Sequence, residues 1–178
     1  VPYRSLLQGN QSFKFVKQTA YKVFASRLSW DNWVEAQGGA PAPLPGVDWG
    51  NEAVVAVFLD PQLDISPDGS TVGVAISGIR STGQSLAVEV SLRLVPPAGN
   101  RPGPGVRPKD GPAAPRPSPG TPYHIVAMTR TGVPGDARIP VNFVDVKGQL
   151  VGTDTLAPAS DLQSGLEISP GIRRSKEP

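Results

Sequence analysis

Apolar and polar residues alternate with a period of two along several stretches of the chain, which is the pattern of half-buried β-strands. In residues 86–95 a leucine or valine occupies every second position, and Glu89, Ser91 and Arg93 lie between them. Residues 71–80 have the same period, and the short link at 81–84 predicts that the two strands form a hairpin.

Five more segments have the residue types and flanking turns of strands. They are 12–17, 21–26, 123–130, 139–146 and 149–155, and the last two predict a second hairpin around 147–148. The uninterrupted apolar run 53–59 predicts a strand that is buried on both faces.

One segment has the period of a helix instead. Trp30, Trp33 and Val34 share one face at i, i+3, i+4 spacing. Ser29 is the predicted N-cap, and Gly38 suits the position at which the helix stops. The tryptophan pair is therefore predicted to face the core.

These elements predict an all-β fold, either a β-sandwich or an open barrel, with one short helix and a long Pro-rich insert. Residues 1–130 form the predicted β domain, with 131–156 as a C-terminal β-hairpin extension and 157–178 as a flexible tail. The predicted core comprises Trp30, Trp33, Val55, Val57, Val88 and Val90.

The insert at 96–122 differs sharply in composition, since proline recurs every few residues and large apolar side chains are scarce. Such a segment favours an extended, polyproline-like conformation. It carries Arg101, Arg107, Lys109 and Arg116, which are candidate contacts for a partner or an anionic surface. The composition by itself favours a solvated spacer.

Composition excludes several classes of function. Charged residues make up 18% of the 178 residues and the net charge is +2, so no concentrated basic face for nucleic acid is expected. The run 53–59 is too short to span a membrane. The first residue is Val rather than Met, and we expect a removed secretory signal and an extracytoplasmic location, with a trimmed boundary as the alternative.

The sequence offers few groups for catalysis. It contains no Cys, its single histidine is His124, and no Gly-x-Ser-x-Gly motif is present. We therefore expect neither an enzyme nor a bound cofactor or transition metal. Asp60, Asp64 and Asp68 recur in one loop, where Ca²⁺ remains an alternative to solvated turn aspartates.

Residues 26–130 carry a series of short motifs in a characteristic order. They are the Trp30/Trp33 helix, Val47-Asp48-Trp49, the apolar run 54–59, Val88-Glu89-Val90 with the following Pro96-Pro97, and Thr121-Pro122-Tyr123. In these features the chain resembles the C-terminal domain family of PrcB, a subunit of a bacterial surface protease complex. Residues 63–69 replace the Thr-Gly-Gly-Tyr turn of that family. The resemblance implies an all-β fold, an envelope or secreted setting and an accessory role.

We therefore expect a non-catalytic accessory subunit that binds another envelope or secreted protein. The predicted strands 13–16 and 139–155 lie outside the resemblance and would present extra edges, so Val144 joins the four basic residues as an expected contact. The alternatives are a structural subunit of an envelope layer or porin-like assembly, and an enzyme with unrecognised metal-dependent chemistry.

Overall fold

The computed structural model describes residues 1–10, 12–61, 70–95, 120–133 and 137–158. These residues form eight strands and one helix. The elements are β1 (Tyr3–Gly9), β2 (Ala20–Phe24), α1 (Arg27–Ala36), β3 (Glu52–Phe58), β4 (Thr71–Ser81), β5 (Leu86–Val95), β6 (Tyr123–Thr129), β7 (Ile139–Val144) and β8 (Leu150–Leu156). The all-β prediction with one short helix is confirmed, while residues 96–119 of the predicted insert lie outside the described residues.

The strands form two four-stranded sheets that pack face to face. The first sheet has the order β1-β6-β3-β2 and the second has the order β4-β5-β7-β8. Both predicted hairpins are present, as the antiparallel pairs β4–β5 and β7–β8. The second hairpin joins the sheet through a parallel pairing of β5 with β7, from Leu86 opposite Val141 to Glu89 opposite Val144.

The first sheet is buried on both faces, as the apolar run predicts for β3. Val55 and Val57 belong to the cluster between the two sheets, whereas Val54 and Phe58 belong to a second cluster beneath the helix. All four side chains are fully buried. The uninterrupted apolar sequence of β3 thus follows from the layers that cover the sheet on each side.

The helix covers the outer face of the first sheet mainly through Trp30 and Val34, each only 1% exposed. The Trp30 indole N–H donates to the Ala42 carbonyl at 3.1 Å, which satisfies the ring's buried polar atom. Trp33 is half-buried and stacks on Phe58 with 4.9 Å between ring centroids. Of the predicted core residues, Trp33 is the one that lies at the margin of its cluster.

The helix begins three residues earlier than predicted. Ser26, not Ser29, is the N-cap, and the Ser29 N–H donates to the Ser26 hydroxyl at 3.2 Å. Ser29 is the third helical residue and its hydroxyl accepts from the Ser26 N–H, which completes a capping box with serine at both ends. Gly38 follows the helix with φ of +82°, so its predicted role at the C-terminal stop is confirmed.

The predicted strand at 12–17 is wrong. Phe13 has φ of +61°, and the Val16 N–H donates to its carbonyl, so the chain turns here. The Phe13 ring makes edge contacts with Trp30, Phe58 and Tyr123. Packing of this aromatic side chain under the helix layer overrides the alternating pattern.

Strand β1 is not evident from the sequence. Most of its side chains are exposed or half-buried, so it lacks an alternating apolar face. Its position is fixed by backbone pairing with β6, from Tyr3 opposite Met128 to Gly9 opposite Tyr123.

The last three residues of the predicted insert belong to the folded body. Gly120, Thr121 and Pro122 are buried. The Thr121 hydroxyl donates to the Val16 carbonyl at 3.3 Å, and the Pro122 carbonyl accepts from the Leu59 N–H at 2.8 Å.

The second half of β5 also departs from expectation. Leu92 and Leu94 were expected to share the buried face of Leu86, Val88 and Val90, but they are 61% and 64% exposed. This half of β5 also lies beyond the pairing with β7, which covers only residues 86–89.

One side of the sandwich is closed by Asp154 of β8. Its carboxylate accepts from the Val23 N–H on β2 at 2.8 Å and lies 3.6 Å from the Lys22 ammonium. Gly152 lies directly against the Tyr21 ring, where a Cβ would come within 2.3 Å of a ring carbon. Side chains therefore join β2 to β8 without a shared backbone ladder.

We expect Asp154→Ala to lower the free energy of unfolding by about 1–3 kcal/mol, because it leaves the part-buried Val23 N–H without its acceptor. Asp154→Asn keeps an acceptor oxygen and should cost less. Denaturant unfolding of both variants measures this difference, and equal losses would contradict the bridging role.

We expect Trp30→Ala to lower the free energy of unfolding by about 3–5 kcal/mol, because it removes a fully buried ring. Trp33→Ala should cost less, since Trp33 is only half-buried. Chemical denaturation followed by far-ultraviolet circular dichroism gives both values. A larger loss for Trp33→Ala would show that the helix presents a different face to the sheet.

Candidate functional site

His124 joins the two sheets on the side opposite Asp154. It lies on β6, and its Nδ1 accepts from the Ile76 N–H of β4 at 2.8 Å. Its Nε2 lies 2.9 Å from the Ser5 hydroxyl on β1. Two further bonds reach the same edge of β4, from the Tyr3 hydroxyl to the Ile76 carbonyl at 3.4 Å and from the Gln8 amide to the Val74 carbonyl at 2.8 Å.

The hydrogen bonds of His124 fix its tautomer. Because Nδ1 accepts from a backbone N–H, the proton of the neutral ring is on Nε2, which then donates to Ser5. A general base that activates a serine needs the opposite arrangement, with Nε2 free to accept and Nδ1–H held by an orienting group. The Ser5–His124 pair therefore suits a structural bridge rather than nucleophilic catalysis.

The ring is also held neutral by its surroundings. Burial lowers the pKa of His124, and the positive charge of Arg93 lowers it further. The neutral ring is the form that can accept from Ile76, so burial and hydrogen bonding favour the same state.

A groove begins where this row of bridging bonds ends. It has a volume of about 240 Å³ and lies between residues 8–10 at the end of β1, residues 71–74 of β4, and Arg93 of β5. The volume is below the roughly 300–1,000 Å³ of typical small-molecule sites. Its small volume and its position beside the edge of β4 suit a few residues of extended chain better than a compact ligand.

The β4 side of the groove presents backbone groups with no partner strand. The Ile76 N–H and the Val74 carbonyl point away from β5 and toward the first sheet, where they bond His124 and Gln8. Because these atoms alternate along a strand, the N–H and C=O of Val72 point the same way. No residue in the described part of the chain pairs with them. One residue with both groups exposed can form a pair of ladder bonds with an added strand.

Arg93 supplies the charge in the groove. It is exposed, lies opposite Gly73 in the β4–β5 ladder, and makes no hydrogen bond or ion pair with any residue that the structure describes. Arg80 on the same sheet differs, since its guanidinium lies 3.4 Å from the Glu89 carboxylate.

A second groove, of about 320 Å³, lies between the start of α1 and the end of β8. Some of its polar groups are already in use, since the Val23 N–H donates to Asp154, and Ser26 and Ser29 form the capping box.

Of the five contacts predicted from the sequence, the structure describes only Val144. Arg101, Arg107, Lys109 and Arg116 fall outside the described residues. Val144 is half-buried on β7, which lies between β5 and β8 and is not an edge strand. Its expected place on an exposed edge is therefore wrong.

Two described residues that precede and follow the stretch with those four basic residues, Val95 and Tyr123, pair with residues of the groove. Val95 pairs with Thr71, and Tyr123 pairs with Gly9. Thr71 and Gly9 both line the groove.

Within the described ranges, no group of three or more His, Cys, Asp or Glu side chains is arranged to hold a metal ion. Asp64 and Asp68 fall outside those ranges, so calcium binding by that loop stays an untested alternative to solvated turn aspartates. Among the same residues, no helix has the length and apolar character needed to cross a membrane.

Comparison with known proteins adds no relative. No protein-family model matches the chain, no curated protein matches it, and no solved structure matches it. The resemblance to the PrcB C-terminal domain family stays a prediction that rests on the motifs quoted above.

We expect the protein to lose stability as the pH falls from about 7 to 5. The unfolded chain binds a proton on His124 near its ordinary pKa of roughly 6.5, whereas the folded chain resists that proton because its pKa is lowered. The stabilisation is present above the unfolded pKa and is lost as the pH falls through the folded pKa. Urea unfolding at several pH values measures the slope.

His124→Gln is the matched control, because the chain has no other histidine. Its stability should vary much less between pH 7 and 5. An equal slope in the variant would show that His124 does not cause the effect. The depressed pKa of Glu52, which bonds Arg4, acts at lower pH and falls outside this window.

Proposed function

We propose that this protein is a non-catalytic binding subunit that takes up an extended segment of another envelope or secreted protein by strand addition to β4. The observation that carries the proposal is the outward-facing backbone of Val72, which pairs with no residue that the structure describes and lies beside a groove. Strand addition obtains affinity from main-chain hydrogen bonds and specificity from pockets for alternate side chains.

The groove supports this mode because it adjoins a strand that is already held in place. Residues 71–74 pair with β5 on one side of the strand. On the other side, the Gln8 amide donates a hydrogen bond to the Val74 carbonyl. The receiving edge is thus ordered before a partner arrives, which lowers the entropic cost of association.

The extracytoplasmic setting and the accessory role come from the PrcB-like motifs between residues 26 and 130. A role without catalysis agrees with the contacts of His124, whose two nitrogens both take part in bridging the sheets. We place the partner-binding surface at the β4 edge because it combines a cavity with the Val72 backbone and the Arg93 side chain, neither of which has a partner among the described residues.

We expect Val72→Pro to abolish binding of an extended peptide, because proline removes the N–H that an added strand would bond. Proline is tolerated at edge positions whose N–H faces solvent, so the fold should persist. The probes are random heptapeptides displayed on phage and selected on the wild-type protein, then synthesised for affinity measurement. Binding should weaken at least tenfold in the variant.

Val72→Ala is the control, because it shortens the same side chain and keeps the N–H. Its affinity should stay within a few fold of wild type, and circular dichroism should show that both variants are folded. In the wild-type complex the Val72 amide should exchange its hydrogen more slowly. Unchanged exchange at Val72, or equal binding by Val72→Pro, would place the contact on another surface.

A further inference from the structure

We propose that the segment taken up along β4 carries an acidic residue that binds Arg93, with an apolar residue on each side of it. This inference rests on the proposed function, since it names the chemistry of the segment that strand addition would bring to the groove. The expected pattern of residues follows from the position of the groove residues on the two faces of the second sheet.

Residues opposite each other in an antiparallel ladder share a face. Val74 and Leu92 are opposite each other, as are Val72 and Leu94. Val74 is buried in the cluster between the sheets. Both residue pairs therefore lie on the inner face of the second sheet, which is the face turned toward the first sheet. Gly73 and Arg93, one residue along, therefore lie on the outer face.

On the outer face, Arg93 lies opposite Gly73, which has no side chain of its own. Both residues line the groove. A guanidinium group binds a carboxylate through two parallel N–H···O bonds, which gives both charge and directional matching. Since the described residues provide Arg93 with no carboxylate, an added strand is the element placed to supply one.

On the inner face, the same strand would meet apolar surface. Val72 is half-buried and lines the groove, and Leu94 opposite it is 64% exposed. Side chains alternate along a strand, so the two neighbours of the residue that reaches Arg93 lie on the inner face, beside Val72 and Val74, which both line the groove. The expected pattern in the bound segment is apolar, acidic, apolar.

The test uses the peptides selected on the wild-type protein from the random heptapeptide library. Each is synthesised in two forms, with its acidic residue or with the corresponding amide. Affinities are measured against wild type, Arg93→Gln and Arg80→Gln. Arg80→Gln is the matched control, because it removes an exposed arginine of the same strand pair that already has a carboxylate partner.

We expect the acidic form to bind wild type and Arg80→Gln about three- to tenfold more tightly than the amide form, as befits one charge-assisted contact in a partly solvated groove. The preference should vanish in Arg93→Gln, while that variant melts at the wild-type temperature.

Two results overturn the inference and leave strand addition standing: selected peptides without an acidic residue between apolar ones, or an acidic preference that persists in Arg93→Gln. In either case loss of binding in Val72→Pro would still support the proposed function. A library that yields no binder to the wild-type protein defeats the proposed function, and the inference with it.

Discussion

The first sheet has apolar side chains on both faces, and this constraint organises the molecule. Val55 and Val57 of β3 point to the second sheet, while Val54 and Phe58 point to the helix. Neither face can be left in water without a loss of roughly 25 cal/mol for each Å² of apolar surface. The second sheet and the helix, together with the turn at Phe13, therefore cover the first sheet as separate layers.

Two packed sheets leave open sides, and this protein closes them with side chains. Asp154 accepts from the Val23 backbone on one side, and His124 accepts from the Ile76 backbone on the other. Each bond satisfies a backbone N–H that would otherwise lie unpaired on an edge strand. The groove opens beyond Gln8 and Val74, where the last of the bridging bonds on the His124 side is made.

The candidate site follows from this arrangement more than from any reactive side chain. Its central feature is backbone at Val72, and among the described residues that line it Arg93 carries the charge. Both depend on the pairing of β4 with β5, which turns Val72 outward and sets Arg93 opposite a glycine. The same pairing gives the bound segment its expected alternation. A site of this kind suits recognition of an extended chain, since strand addition uses the main chain that every partner has.

The sequence by itself determined the elements whose side chains have a regular period. The apolar run in β3, the alternation in β4 and β5, and the Trp30 face of the helix each follow from burial on one or both faces. Only the tertiary structure decided the rest. Phe13 turns because its ring packs beneath the helix, and β1 forms because β6 offers an edge. The groove belongs to this second group, because residues 8–10 and 71–74 are distant in sequence and meet only when the sheets pack. Backbone exposure at Val72 depends on which strand lies beside it. The pattern of apolar and polar side chains does not predict that neighbouring strand.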